Sequence, residues 1–190
     1  MLQNEPIPAD VDTERPGDIV DGAGATGVVR WVLTGPDGEV KESGTAYNTI
    51  TRIGDQVLGE RGAGLAGAPA APNGMKLGTG STAAGKTGAA AAAIASGTYL
   101  ADSHIALQGV PGSTLNGALR QIRYTGVWAA GKATTAGAIT EAVIVNDYAS
   151  GTNATSPEAN TLSRVILTPA VGSKGAQDSL TLIWDWNVGT

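Results

Sequence analysis

The cleanest alternation of apolar and polar positions lies at the end of the chain, in SLTLIWDWNV from Ser179 to Val188. Leu180, Leu182, Trp184, Trp186 and Val188 share one side, and Thr181, Ile183, Asp185 and Asn187 share the other. This period of two predicts a strand that covers a core with one face. Arg120 to Trp128, with Ile122, Tyr124 and Trp128 on one face, Ala138 to Val145 and Leu162 to Leu167 are runs of the same kind. Clusters of Gly, Asn, Ser, Thr and Pro at Gly109 to Gly117, Ala129 to Gly137 and Asn146 to Ala159 read as loops between them, with no helix-length periodic segment intervening.

The first half of the chain is more varied. Val28 to Thr34 is β-branched and aromatic, Gly35-Pro36-Asp37-Gly38 has turn chemistry, and Glu39 to Ser43 resumes the alternation, which predicts a β-hairpin. Ile50, Ile53, Val57 and Leu58 then fall at helical spacing. A short amphipathic helix over Asn48 to Gly62 follows, capped by Asn48 or Thr49 and closed at Gly62. Gly62 to Gly74 reads as a loop and Met75 to Leu77 as a short strand. The run Ala89 to Ala95 fits either a buried helical turn or a tight extended stretch. Met1 to Gly27 carries Pro6, Pro8, Pro16 and six acidic residues, a composition that cannot bury enough apolar surface to offset its ordering entropy. The expected organisation is an extended arm over 1–27 and one β-rich domain over 28–190: an antiparallel β-sandwich, jelly-roll-like, with one short helix.

Composition narrows the function classes. Charged residues make up 15% of the chain, against about a quarter in an average soluble domain, so surface polarity rests on Ser, Thr, Asn, Gln and exposed backbone. There are 28 glycines and no phenylalanine, which assigns Trp31, Trp128, Trp184 and Trp186 to an aliphatic core rather than to a carbohydrate platform. A net charge of −5 without clustered Lys and Arg argues against direct nucleic-acid binding. The absence of cysteine removes disulfide and thiolate chemistry and favours a protein made in a reducing cytoplasm. The polar opening segment does not read as a secretory signal, and no apolar run is long enough to span a membrane.

One stretch raises a specific chemistry. Gly80, Gly85, Lys86 and Thr87 in GSTAAGKT satisfy the G-x-x-x-x-G-K-[ST] pattern of a phosphate-binding loop. A working loop of this kind needs a buried parallel strand before it and an amphipathic helix after it, because aligned N–H groups at a helix N-terminus hold the phosphate. Met75-Lys76-Leu77 is a short strand for that purpose, and Gly88 falls where the first helical turn belongs. Asp147 and Asp185 end apolar runs, as a magnesium-side carboxylate does, yet such endings are common by chance. The preferred reading is a glycine loop with a solvated Lys86. His104 has only Asp102 beside it and reads as a satisfied loop histidine. No catalytic, cofactor-binding or metal-ligating residue is assigned, and no enzyme is expected.

Three stretches carry a family likeness: KLGTGSTAA (Lys76 to Ala84), AGAITEAVIVND (Ala136 to Asp147) and LSRVILTPAVGSKGAQDSLTLIWDWNV (Leu162 to Val188). They resemble tailed-bacteriophage virion proteins with a GTG-T-A loop, an ITE strand and a C-terminal hairpin of the type R--F-----KG--D-L-ITW-W. Where the family has a glycine after ITEA, Val143 stands here. The resemblance implies a structural protein on the outer surface of the capsid, a head decoration (cement) protein. Its partners would be the major capsid protein and further copies of itself, as a dimer or trimer, with no nucleic-acid or membrane partner. A tail-fibre or receptor-binding component is the alternative.

Overall fold

A computed structural model describes residues 26–148 and 156–188. Its strands are β1 (Thr26–Thr34), β2 (Val40–Ile50), β3 (Gly74–Gly78), β4 (Ile105–Ala106), β5 (Gly112–Asn116), β6 (Leu119–Trp128), β7 (Ile139–Val145), β8 (Thr161–Val171) and β9 (Ser179–Val188). One short helix, α1 (Arg52–Gln56), follows β2 and runs into a π-helical turn over Val57–Arg61. All nine strands join one sheet in the order β4-β3-β7-β8-β2-β1-β9-β6-β5, and every pairing is antiparallel.

The sheet curls around its apolar side into a half-barrel. Just past β4, the backbone N–H of Gln108 donates to the carbonyl of Thr125 in β6, 2.8 Å away. Met75 of β3 lies so close to Gly126 of β6 that a Cβ there would stand 2.6 Å from its sulfur. Segments that are far apart in the hydrogen-bonded order are therefore brought together around one interior. Val29, Trp31 and Leu33 of β1, with Leu180, Leu182, Trp184 and Trp186 of β9, fill it.

All four tryptophans are buried in this core, the side of the choice that the Phe-free composition favours. Trp128 donates its indole N–H to the carbonyl of Ser103 at 2.6 Å. Those of Trp31, Trp184 and Trp186 have no acceptor among the described residues, so these rings contribute mainly apolar area. Tyr124 meets the edge of Trp186 with ring centroids 5.0 Å apart. Opposite Trp31 in the register stands Gly44, and the indole occupies the space a side chain there would need.

The β1–β2 hairpin forms as its turn residues predict: the Gly38 N–H donates to the Gly35 carbonyl, Asp37 Oδ1 accepts from Glu39 N, and Gly38 takes φ +84°. Three expectations need correction. Asn48, Thr49 and Ile50 are not helical but pair with Val165, Arg164 and Ser163, so β2 runs on to its partner β8 and the helix cap moves to Thr51, whose hydroxyl accepts from Gly54 N. The loop expected over Gly109 to Gly117 contains β5. Asn116 and Leu119 pair across a two-residue link, Gly117-Ala118, with Gly117 at φ +62° in the first position, where such a link calls for glycine. The C-terminal hairpin implied by the family likeness is absent: β8 and β9 do not pair, because the β1–β2 hairpin lies between them.

Smaller boundaries also move. Thr26 and Gly27 belong to β1, and the rest of the arm, residues 1–25, lies outside the described residues, as do 149–155 of the loop expected over Asn146 to Ala159. The alanine run forms tight turns around a buried Ala92-Ala93-Ile94 rather than a helix.

Two predictions follow from this packing. A Cβ at Gly44 would sit 2.7 Å from three atoms of the Trp31 ring, so Gly44→Ala will destabilise by about 1–3 kcal/mol. Gly59→Ala, with nothing within 4 Å, will stay within about 0.5 kcal/mol in the same denaturant titration. Burial pushes the Tyr124 phenol up to about 12. Its folded value exceeds the unfolded value of about 10. Stability is therefore intact below the unfolded value and falls as pH rises through the window between the two. An alkaline spectrophotometric titration will show Tyr124 ionising late, with Tyr99 also raised by burial, and Tyr124→Phe will remove the Tyr124 step.

Candidate interaction surface

The glycine loop after β3 is organised by a buried ion pair. Glu141 on β7 and Arg164 on β8 are both almost wholly buried, and the Arg164 Nη2 and Nε atoms donate to Glu141 Oε2 at 2.6 and 3.0 Å. The other carboxylate oxygen accepts from the Gly80 N–H at 2.7 Å. Arg164 Nη1 donates to the carbonyls of Thr82 and Ala91, 2.8 and 3.0 Å away. Thr140 adds a hydroxyl bond to the Gly80 carbonyl. A Cβ on Gly78 or Gly80 would stand 2.5 or 2.4 Å from Glu141 Oε1, which is the physical reason for glycine at both ends of the GTG triplet.

This geometry is the reverse of a phosphate cradle. The loop turns carbonyls toward a guanidinium, and two of its amides are engaged elsewhere: Gly80 N–H by Glu141, Gly85 N–H by the Ala91 carbonyl. β3 has antiparallel neighbours on both sides, and no helix starts after Thr87. Lys86 pairs at the surface with Asp55, 2.6 Å away and half exposed on both sides. Neither aspartate weighed as a magnesium ligand serves this loop. Asp185 lies under Arg30 and Arg123, while Asp147 bonds Asn160 and is pushed toward protonation by burial. His104 Nδ1 is 3.3 Å from the Tyr99 hydroxyl, and Asp102 pairs instead with Lys132, whose hydrogen bond holds that carboxyl below its usual range.

The KGAQD stretch is also a structural corner. Lys174 is buried and donates to the carbonyls of Ala129 and Asp178, while the Asp178 carboxylate accepts from Gly175 N and from Lys41. Among the described residues no group of three or more His, Cys, Asp or Glu could hold a metal ion, and no helix is long and apolar enough to cross a membrane.

What the fold presents outward is a broad face on β2, β1, β9 and β6. Tyr47, Val28, Asp185 and Arg123 form one cross-strand row, Thr45, Arg30, Ile183 and Thr125 the next, and Ser43, Val32, Thr181 and Val127 a third. β-Branched and hydroxyl side chains dominate it. Asp185 is buried there, with Arg123 Nε and Nη2 at 2.7 and 2.9 Å and Arg30 on its other side, so two guanidiniums share one carboxylate. The alternation of β9 is visible in sequence, but the burial of Asp185 on its polar face is not, because its partners come from strands 155 and 62 residues away in the chain.

No protein-family model, curated protein or solved structure matches the chain.

The two halves of the glycine-loop network make opposite predictions. Arg164→Met strands the Glu141 carboxylate in the interior and will cost about 3–5 kcal/mol of stability, whereas the double change Arg164→Met/Glu141→Leu will recover much of that loss. Lys86→Ala removes only a surface pair and will change stability by less than about 1 kcal/mol. Denaturant titration of the three variants checks both.

Proposed function

We propose that this protein is a virion structural component that decorates the outer surface of a tailed-phage head, binding the major capsid protein and stabilising the shell. The observation that carries the reading is the convergence of the three family-like stretches. The GTG loop supplies Gly80, the ITE strand Glu141 and the LSRV strand Arg164 to one buried network, and KG--D forms the corner before β9. The likeness thus rests on residues that interlock as a unit rather than on scattered letters.

The finer description of the body as a jelly-roll-like sandwich has support in its nested pairing: β1 with β9, β2 with β8, β3 with β7. Such nesting is what a long hairpin rolled on itself produces, although consecutive strands pair here as well. The broad face of small β-branched and hydroxyl residues suits seating on a flat protein surface. Copies associated about a symmetry axis and bound to a repeating lattice gain avidity that a single contact lacks. A clamp across capsomer seams would resist the outward push of packaged DNA. None of this requires an active site.

Mixing the purified chain with heads assembled from the capsid protein of the same phage tests the reading. The expected result is saturable co-sedimentation at a fixed copy number per capsomer, with a raised temperature for head rupture. Binding to host cells or glycans in place of heads would move the assignment to a tail-fibre or receptor-binding component.

A further inference from the structure

The formal charge of this protein is unevenly placed. Residues 1–25 hold six of the seventeen acidic residues and one of the twelve basic ones, so that segment carries the whole net charge of −5 and the remaining chain is balanced. The acids are also patterned. Pro8 and Pro16 bracket a proline-free run, ADVDTER, in which Asp10, Asp12 and Glu14 alternate with Val11 and Thr13. In an extended strand the three carboxylates share one face and Val11 lies on the other.

The sheet offers a matching place. β5 is the last strand in the order and, among the described residues, pairs only with β6, so its outer edge has no described strand beside it. On the outward face, its Gly112 and Thr114 stand beside Arg123 and Gln121 of β6. Those two β5 residues are small and do not cover Arg123, whose side chain is about half exposed while Nε and Nη2 hold Asp185. On the other face Leu115 is 70% exposed, an apolar side chain with little cover. Asp185 alone offsets Arg30 and Arg123, which leaves a surplus positive charge on this end of the sheet.

We infer that residues 9–15 of the chain's own N-terminal segment add as a strand to the free edge of β5, with Asp10, Asp12 and Glu14 facing Arg123 and Val11 covering Leu115. The segment's exit favours its own body. β1 starts at Thr26, opposite Asn187 of β9, and Gln121 of β6 in turn donates to Asn187 Oδ1. From β1 to an added strand beyond β5 is four strand spacings, about 19 Å. The link from Pro16 to Ala25, with Gly22 and Gly24 able to reverse direction, spans up to about 33 Å. A tethered strand acts at an effective concentration in the millimolar range, which favours it over the same segment of another copy.

The inference does not depend on the capsid reading. Hydrogen–deuterium exchange on the full-length protein tests it. The expected result is slow exchange at both Gly112–Asn116 and residues 9–15, unchanged on dilution. That protection should weaken several-fold in high salt and in the triple variant Asp10→Asn/Asp12→Asn/Glu14→Gln, which leaves the sheet intact. Arg123→Gln should weaken it likewise; if that change disturbs Asp185 and the fold, the triple variant decides alone. Equal exchange at β5 in the wild type and the triple variant overturns the inference, as does protection that is lost on dilution, which would assign the edge to a second copy. Failure of head binding would leave the exchange result untouched.

Discussion

The buried pair between Arg164 and Glu141 is the constraint on which this fold's least regular region depends. It joins β7 to β8 side chain to side chain and gathers the glycine loop by its carbonyls. Removing a guanidinium and a carboxylate from water is expensive, and the cost is offset only because their other polar positions are also occupied. Gly80 N–H and the carbonyls of Thr82 and Ala91 provide that satisfaction. The loop's lack of regular secondary structure is thus a consequence of its role: it wraps an ion.

That arrangement explains how a stretch can match a nucleotide-binding pattern and lack its geometry. Letters record that glycines allow close approach, but they do not record whether amides or carbonyls point into the resulting space. Here the close approach is to Glu141, and the cation at the centre belongs to the protein. The lysine that completes the pattern turns outward to Asp55.

Much of the sheet was legible because one-sided burial imposes a period of two. β9 has the expected bounds, β6, β7 and β8 fall on the expected runs, and the first hairpin sits on its predicted turn. The misreadings share a physical origin in partners distant along the chain. Asn48 to Ile50 look helical when read with Ile53 and Val57, and only pairing with β8 keeps them extended. The strand at Gly112–Asn116 is hidden in a Gly, Ser and Thr cluster, and its partner β6 keeps it extended. The β8–β9 hairpin is implied by the family likeness alone, and nothing local announces that another hairpin intervenes. Asp185 looked solvent-facing for the same reason: Arg30 and Arg123, which cover it, come from two other strands.

The placement of β1 between β2 and β9 has a consequence for biosynthesis. Arg30 and the residue it grips on β9 are separated by 155 positions, so the strand made first among those described waits for the strand made last. A nascent chain on the ribosome can close the first hairpin, yet it leaves one side of β1 open until β9 has been made. Pairings so remote form slowly and expose aggregation-prone edges in the interval. A chain interrupted before β9 leaves that side of β1 without its partner strand.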